Sequence, residues 1–181
     1  MRILLSKEDM KTCDQNTIEG FGVPSCVLME RAALACVDEL YRSGAALDRV
    51  LVICGSGNNG GDGFAIARLL FLDQVPVSIW FVGKEQSCTD QTRHQKEICE
   101  KYGITFCSNP EINEYTVIVD GIFGVGLSRE ITGNYKEIID HMNEAPAYKA
   151  AVDIPSGIHG DTGAVLGTAF EADLTVTFAY K

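Results

Sequence analysis

The first 44 residues place apolar side chains at the spacing of an α-helix. Ser6 and, three residues later, Asp9 form the serine-and-acid pattern that begins a helix, and that helix is expected to end at Gly20. Pro24 begins a second helix, because proline is tolerated where the first turn has no use for an N–H group, and Gly44 ends it. The sequence therefore predicts two consecutive helices before any strand.

From residue 50 onward, short continuous apolar runs alternate with amphipathic stretches. Runs rich in β-branched residues are typical of strands that are buried on both faces. The predicted strands cover residues 50–54, 77–82, 104–107, 116–120, 148–153 and 174–178, and the predicted helices between them cover 62–72, 91–102 and 135–142. This alternation indicates an α/β fold with a mostly parallel sheet between helices. In such folds, ligands bind at the carboxyl ends of the strands.

The segment after the first predicted strand is rich in glycine. Residues 55–63 have the sequence GSGNNGGDG, which contains G-x-G-x-x-G between a strand and a helix. Glycines let a backbone approach a pyrophosphate closely, and the N–H groups at a helix start can bind its charge. A tight turn alone would need fewer than the five glycines in these nine residues. The segment is therefore predicted to bind a phosphate-containing ligand.

Two further strand ends combine a carboxylate with glycine. Asp120 is followed by Gly-Ile-Phe-Gly-Val-Gly, and Asp153 is followed by Ile-Pro-Ser-Gly. Either end alone could be ordinary capping or turn chemistry. Together with Asp62, however, three successive loops at one edge of the sheet each deliver a carboxylate pointing into the crevice. The oxygens of Asn59, Asp120 and Ser156 could converge on a cation, and a single carboxylate suits a monovalent ion better than Ca²⁺.

The composition narrows the possible ligands. The 181 residues include 25 acids and 15 bases, for a net charge of −10, which argues against a nucleic-acid or anionic-membrane surface. An anionic ligand would have to be held by backbone amides or by a bound cation. The seven cysteines include no C-x-x-C pair, so buried reduced thiols are expected. No apolar stretch reaches the ~20 residues that a bilayer requires, and the sequence predicts a cytoplasmic protein.

The three motifs together resemble the YjeF N-terminal domain family. The similar segments are residues 58–63 (NNGGDG), 120–126 (DGIFGVG) and 152–157 (VDIPSG), together with 28–32 (LMERA) in the second helix. The resemblance implies a Rossmann-like, three-layer α/β/α sandwich, a homodimer, and NAD(P)H-hydrate epimerase activity. This isomerase interconverts the R and S forms of NADHX or NADPHX at C6 of the nicotinamide ring. A fused or partner ADP/ATP-dependent NAD(P)H-hydrate dehydratase then restores the cofactor.

The resemblance also implies roles for single residues. Asn59, Asp120 and Ser156 are expected to hold a potassium ion, and Asp153 is expected to contact the substrate. The residues expected to line the substrate site are Asn58, Asn59, Gly60, Gly61, Asp62, Gly124, Val125, Gly126, Leu127, Ser128, Arg129, Glu130, Tyr135 and Asp153.

The expected reaction requires a carboxyl group as acid and base. The hydrated ring carbon bears a hydroxyl group and the ring nitrogen, so protonation and loss of water would give a planar iminium ion that water can attack from either face. A carboxyl group would first donate and then take up the proton. We assign this catalytic role to Asp153, and Asp62 stays open as the alternative.

Three other functions stay open at this point. A binding or scaffold protein could use the same fold without catalysis. A phosphotransferase could use residues 60–63 as an anion hole, but the metal carboxylates that it needs are not found downstream. A dehydrogenase needs a ribose-binding acid ~20 residues after the glycine motif, for which Glu85 is only a loose candidate. Residues 1–181 are predicted to form one domain, truncated or excised from a longer chain, because Lys181 follows directly after a strand.

Overall fold

The computed structural model describes residues 6–178, which form a sheet of six strands with helices on both faces. The strands are β1 (Val50–Cys54), β2 (Val77–Phe81), β3 (Thr105–Cys107), β4 (Val117–Gly121), β5 (Tyr148–Val152) and β6 (Leu174–Val176). The α-helices are α1 (Lys7–Gln15), α2 (Ser25–Ser43), α3 (Asn58–Leu72), α4 (Asp90–Lys101) and α5 (Asn134–Glu144). A π-helical turn (Asn16–Gly20) and two 3₁₀ turns (Glu85–Ser87 and Ile112–Glu114) complete the elements.

The sheet has the strand order β3-β2-β1-β4-β5-β6, and all of its pairings are parallel. The predicted three-layer α/β/α sandwich is therefore confirmed. The chain leaves β1 toward β2 on one side and later returns to place β4 on the other side of β1. This reversal opens a crevice above the carboxyl ends of β1 and β4, where α/β sheets bind ligands.

The two faces of β1 explain its continuous apolar sequence. Val50, Val52 and Cys54 pack with α2, α3 and α4 on one face, whereas Leu51 and Ile53 pack with α5 on the other. All five side chains are buried. Because helices cover both faces of the sheet, neither face of the strand can carry polar residues.

The two N-terminal helices begin where the sequence predicts. The Ser6 hydroxyl accepts a hydrogen bond from the Asp9 N–H, and the Asp9 carboxylate accepts one from the Ser6 N–H, which is a complete capping box. The segment does reach Gly20, but its last five residues form a π-helical turn instead of continuing the α-helix. The α2 helix ends at Gly44, whose φ of 73° is a left-handed conformation that glycine adopts without strain.

The start of α3 was predicted wrongly at residue 62, since the helix begins four residues earlier, at Asn58. Gly57 is extended, with φ −79° and ψ 179°, and its carbonyl oxygen accepts hydrogen bonds from the N–H groups of Gly60 (2.9 Å) and Gly61 (3.3 Å). The Asn-Asn-Gly-Gly sequence is therefore the first turn of the helix. The predicted phosphate-binding glycines lie on the helix N-terminus itself, and not on a loop that precedes it.

The cysteines only partly follow the prediction of buried thiols. All seven are free. Cys36, Cys54, Cys88 and Cys99 are buried, but Cys13 and Cys107 are half-buried and Cys26 is exposed. Within residues 6–178, no helix is both long enough and apolar enough to cross a membrane. The predicted truncation after the last strand concerns residues that lie outside the described ones.

Candidate functional site

The three strand ends singled out in the sequence meet at one edge of the sheet. Ile53 of β1 is in register with Asp120 of β4, which is in register with Ala151 of β5. The N–H group of Gly55 donates to the carbonyl oxygen of Gly121 at 3.0 Å and continues the pairing beyond β1. The loops after β1, β4 and β5 are thus neighbours, as expected for the carboxyl edge of a parallel sheet.

The first turn of α3 is packed tightly against the end of β1. A Cβ atom on Gly60 would lie only 1.9 Å from the carbonyl oxygen of Gly55, so no side chain fits there. The N-terminus of α4 braces the same turn: the Thr92 hydroxyl donates to the Gly57 carbonyl (2.8 Å), and the Thr89 hydroxyl donates to the Asn58 side chain (2.8 Å). These two hydrogen bonds were not predicted from the sequence, although Thr89 is a recognisable N-cap residue for α4.

Asp120 and Ser156 form a buried network between the loops after β4 and β5. One Asp120 oxygen accepts hydrogen bonds from the Ser156 hydroxyl (2.7 Å) and the Ile122 N–H (3.1 Å), and the other accepts one from the Ser156 N–H (2.8 Å). Both residues are fully buried. Burial raises the pKa of Asp120 to about 6, although these hydrogen bonds favour its charged form. Asp120 was predicted to point into the crevice, and in the structure its carboxylate is fully buried and hydrogen-bonded to Ser156 and Ile122.

Asn59 is a buried polar residue without protein partners. It is 8% exposed, and neither its amide oxygen nor its amide nitrogen has a hydrogen-bond partner among the described residues. A buried amide without partners costs free energy, so such a group in a native site needs an explanation. A Cβ atom placed on Gly124 would lie 3.2 Å from the Asn59 amide oxygen and 2.8 Å from an Asp153 carboxylate oxygen. Asn59, Gly124 and Asp153 therefore border one small space.

Asp153 leaves the sheet in an unusual backbone conformation. Its φ of 67° lies in the left-handed region, which aspartate tolerates better than most residues. The Val125 N–H donates to its carboxylate at 3.1 Å, and this hydrogen bond fixes the carboxyl group against the loop after β4. Burial raises the pKa of Asp153, the charge of Asp14 raises it further, and the Val125 N–H opposes both effects.

Asp62 is a second carboxyl group on which the charge of Asp153 acts. Burial raises the pKa of Asp62 well above its ordinary value, and the negative charges of Asp153 and Asp14 add to this effect. The same two site carboxylates also raise the pKa of the buried Cys36 thiol, which comes from α2. Two carboxyl groups that repel each other tend to share a proton, which makes one of them an acid near neutral pH. The structure thus brings together both candidates for the acid–base role.

The other predicted substrate residues lie mainly on the loop after β4. Gly126, Ser128, Arg129 and Glu130 are exposed, whereas Gly124 and Val125 are half-buried. The side chain of Leu127 is buried in the core under α5 and offers no surface to a ligand.

An aromatic pair lies beside this loop. The half-buried ring of Tyr135 packs edge-to-face on Phe123, with centroids 4.9 Å apart. Burial raises the pKa of Tyr135, and the positive charge of Arg129 opposes that shift, so the guanidinium lies near the phenol. Phe123 was not among the predicted site residues, although its N–H donates to the Ser156 hydroxyl at 2.9 Å.

The loose candidate for a dehydrogenase ribose acid is otherwise engaged. Glu85 forms an ion pair with Lys96 of α4 at 2.7 Å. The arrangement as a whole offers a helix N-terminus and backbone N–H groups for an anionic ligand, and two carboxyl groups for proton transfer.

A six-stranded parallel sheet of this order, with its site at the reversal between β1 and β4, defines the class of Rossmann-like α/β proteins. Within that class, the chain belongs to the family described as YjeF-related protein N-terminus, whose family model matches residues 25–181.

The similar proteins include two named relatives and a solved structure. A protein named NAD(P)H-hydrate epimerase from Oenococcus oeni is 48% identical over 181 residues, which are 99% of this chain and 86% of that protein. A protein of the same name from Limosilactobacillus fermentum is 44% identical over 178 residues, covering 98% of this chain and 86% of that protein. The crystal structure of yeast ynu0 superposes with a TM-score of 0.83 at 22% identity, over 97% of this chain and 79% of that one, and bears out the fold.

Proposed function

We propose that this chain is an NAD(P)H-hydrate epimerase, an isomerase that equilibrates the R and S forms of NADHX or NADPHX. The observation that carries the proposal is the pair of Asp62 and Asp153, two carboxyl groups with raised pKa values at the carboxyl edge of the sheet. Proteins of that name are 48% and 44% identical to nearly the whole chain. The reaction needs an acid that is still protonated near neutral pH, and this pair provides one.

In the proposed mechanism, Asp153 donates its proton to the hydroxyl group on C6. The C6–O bond breaks, water leaves with both bonding electrons, and the lone pair of the ring nitrogen forms the C=N bond of an iminium ion. A water molecule then adds to the opposite face of the iminium ion, and the proton that it releases returns to the Asp62–Asp153 pair. The proton is thereby returned and the product has the other configuration. The hydrogen bond from the Val125 N–H holds the carboxyl group in one orientation throughout.

The cationic intermediate also requires a suitable electrostatic environment. Once Asp153 has given up its proton, its carboxylate is a negative charge next to the positively charged ring, with Asp62 close by. Negative charge positioned before the reaction stabilises a developing cation without reorganisation. Tyr135 and Phe123, which form a half-buried aromatic edge beside this loop, provide an apolar wall for the ring.

The two phosphates of the substrate are proposed to lie on the N-terminus of α3. Asn58, Asn59, Gly60 and Gly61 are its first four residues, and the close packing of Gly60 on Gly55 and of Gly61 on Met29 holds this turn at the end of β1. The positive end of the helix dipole favours the negative pyrophosphate, which an acidic protein could not hold by general attraction. Arg129, exposed on the loop after β4, adds a positive charge at the edge of the site.

Chiral chromatography of R and S NADHX is the experiment that tests the function. We expect the purified chain to accelerate equilibration of either pure epimer far above the spontaneous rate, with no net change in absorbance from reduction or phosphorylation. NADPHX should be run in parallel to establish the preference. If dinucleotide binds but neither epimer is converted faster than in buffer, the chain is a binding or scaffold protein of the same fold, and the epimerase proposal fails.

We also propose that the site holds a potassium ion on oxygens of Asn59, Asp120 and Ser156. The residues fit such an ion, because the amide oxygen of Asn59 lacks a partner and one Asp120 oxygen accepts only a single hydrogen bond. A carboxylate has about four acceptor positions, of which three are used here. When bound, the ion would supply a positive charge beside the phosphate-binding turn. The amide oxygen of Asn59 would then have a partner.

Thermal unfolding tests the potassium site. We expect potassium chloride to raise the melting temperature relative to choline chloride at equal ionic strength. At a potassium concentration of 100 times the Kd, the free energy of unfolding should rise by about 2.7 kcal/mol. Asn59→Leu should abolish that gain while being as stable as the parent without potassium, since it removes an unpaired buried amide. Asn113→Leu, at an exposed position, is the matched control. Equal gains in the Asn59 variant and the parent would rule out the site.

Three further properties are proposed from the surface and the reaction. A homodimer is supported by the exposed side chains of Val27, Leu34 and Tyr41, which repeat every seven residues and so share one face of α2. Light scattering of the purified chain tests the dimer.

The free thiols are compatible with the reducing cytoplasm. The reaction also calls for a dehydratase that consumes one epimer, as a fused domain or a separate partner.

A further inference from the structure

The loop between β2 and α4 is joined by hydrogen bonds to the glycine-rich segment after β1. The Val82 N–H donates to the Cys54 carbonyl oxygen at 3.0 Å. The Lys84 N–H then donates to the Ser56 hydroxyl at 2.7 Å, and at the far end of the loop the Thr89 N–H donates to the Ser56 carbonyl oxygen at 3.1 Å. The backbone of Lys84 therefore lies directly beside the segment that leads into the N-terminus of α3.

Gly83 approaches Ser56 too closely for any side chain to fit between them. A Cβ atom on Gly83 would lie 2.4 Å from the Ser56 hydroxyl oxygen and 2.7 Å from the Ser56 backbone nitrogen. The loop after β2 is thus packed against the start of the turn on which the substrate phosphates are proposed to lie. Lys84, the next residue, is exposed at the edge of that site.

The neighbouring charged groups leave the positive charge of Lys84 available to a ligand. Glu85 follows it in the chain, but the Glu85 carboxylate pairs with the Lys96 ammonium of α4 at 2.7 Å. Arg93, in the first turns of α4, pairs with Asp90 at 3.0 Å. Within residues 6–178, no ion pair involves Lys84. The end of β2 therefore carries a positive charge that no acid of the described chain neutralises by direct contact.

The strand order sets the direction in which a dinucleotide would lie. β2 is beside β1 on one side, whereas β4 and β5 follow on the other side. With the nicotinamide ring at Asp153 after β5 and the pyrophosphate on the N-terminus of α3, as proposed above, the adenosine half extends past β1 to the end of β2. In Rossmann-like folds, an acid near this place binds the ribose 2′-hydroxyl of NAD, whereas a basic residue accommodates the 2′-phosphate of NADP. Residues 80–84 have the sequence WFVGK, with a base and no acid.

We infer that Lys84 determines substrate specificity by binding the 2′-phosphate of the adenosine ribose, so that the site prefers NADPHX to NADHX. The inference rests on the proposed epimerase function and deepens it by choosing between the two substrates. A phosphate monoester carries a charge of about −1.5 to −2 at pH 7, and an ammonium group forms strong, charge-assisted hydrogen bonds with it. The 2′-phosphate and the reacting ring lie at opposite ends of the dinucleotide. Lys84 therefore acts on binding and not on the chemical step.

Kinetics with both substrates test the inference. Lys84→Gln should raise KM for NADPHX roughly tenfold, the effect of losing one hydrogen bond to a charged group. Its kcat should stay unchanged, because the interaction is equally strong in the ground state and the transition state. Both constants for NADHX should stay as in the parent, and Lys84→Arg should keep most of the preference. The fold is preserved in both variants, since the hydrogen bond to Ser56 comes from the backbone N–H of residue 84.

Lys101→Gln is the matched control for the kinetics. It removes an exposed lysine from the last position of α4, at the opposite end of that helix from Thr89, and should change neither substrate's KM. A rise in KM that is equal for NADPHX and NADHX in Lys84→Gln would overturn the inference, since only NADPHX carries the 2′-phosphate. So would a parent enzyme that uses the two substrates with equal KM.

Calorimetry with NADP⁺ and NAD⁺ separates this inference from the epimerase proposal, because neither ligand carries the hydrate. We expect the parent and Lys101→Gln to bind NADP⁺ more tightly than NAD⁺, and Lys84→Gln to bind the two alike. That pattern supports the inference even if the parent fails to interconvert R and S NADPHX, a result that would count against the proposed function alone. Equal affinity of the parent for both dinucleotides, no binding of NADP⁺, or a preference that persists in Lys84→Gln would overturn it.

Discussion

Asp153→Asn is expected to lower kcat for epimerisation by about 10²- to 10⁴-fold, the usual contribution of a positioned acid–base group. The change removes the proton but preserves the shape. Asparagine accepts the left-handed backbone that Asp153 adopts, with φ at 67°, and its amide oxygen can still accept the hydrogen bond from the Val125 N–H. Loss of activity in this variant would therefore report chemistry and not a distorted loop. Chromatography of the two epimers at constant pH measures it.

The stability of the same variant provides an internal check. Because burial raises the pKa of Asp153 in the folded protein, its carboxyl group favours the folded state at pH below its unfolded value, and this contribution is lost as the pH rises through the raised folded value. Asp153→Asn should thus be at least as stable as the parent at pH 8, with the difference turning against the variant near pH 4. Chemical denaturation at both pH values gives the comparison.

Two further variants test whether Asp153 is the proton donor. Asp48→Asn, at an exposed position before the amino end of β1, carries the same charge change far from the site and should retain full activity. Asp62→Asn decides between the two carboxyl groups. If Asp62→Asn loses activity as described above and Asp153→Asn keeps it, the proton donor is Asp62, and Asp153 provides the electrostatic support.

Gly60→Ala is expected to destabilise the protein by about 3 kcal/mol or more, at the upper end of what overpacking costs. The added carbon would lie 1.9 Å from the Gly55 carbonyl oxygen and 2.7 Å from its carbonyl carbon, and both are backbone atoms that no rotamer change can move aside. For a domain of this size, the change corresponds to a fall in melting temperature of roughly 6–12 °C. Calorimetry checks it. Dinucleotide binding should weaken as well, since the same turn is proposed to hold the phosphates.

The control for this variant lies three residues away. Gly57 is the N-cap of α3, its φ of −79° suits any residue, and a Cβ atom there would have nothing within 4 Å. Gly57→Ala should therefore cost at most about 1 kcal/mol, the price of an alanine N-cap. Similar losses for the two variants would mean that the glycines serve the helix start in general, and that the close approach of Gly60 to Gly55 is not important.

Strand positions were predictable because a strand that is buried on both faces has a continuous apolar sequence. The apolar run at residues 50–54 is β1, with no change at either end. The start of α3 was not predictable from propensity, since two asparagines and two glycines are poor helix formers. Their helical conformation depends on contacts with Gly55, Thr89 and Thr92, which come from β1's end and from α4. Tertiary packing thus overrides the local preference at this turn.

Part of the site was also predictable from the sequence. Carboxylates at strand ends could be placed at one edge of the sheet from the strand pattern alone, and Asp62 and Asp153 do lie together. The hydrogen-bond partners of these carboxylates could not be predicted, because it is the loop after β5 that brings Ser156 onto Asp120.

The buried contact between Asp120 and Ser156 also constrains how the protein is made. It joins positions 36 residues apart, and two of the three hydrogen bonds that the Asp120 carboxylate accepts come from Ser156, in the loop after β5. Until β5 has docked beside β4, the end of β4 would bury a carboxylate without these partners, and long-range pairing of this kind forms late in folding. During synthesis from the N-terminus, the earlier strands can collapse first. The protein therefore becomes active only after the last third of the chain has folded. A ribosome-bound fragment that ends before residue 156 would have an incomplete sheet and no activity.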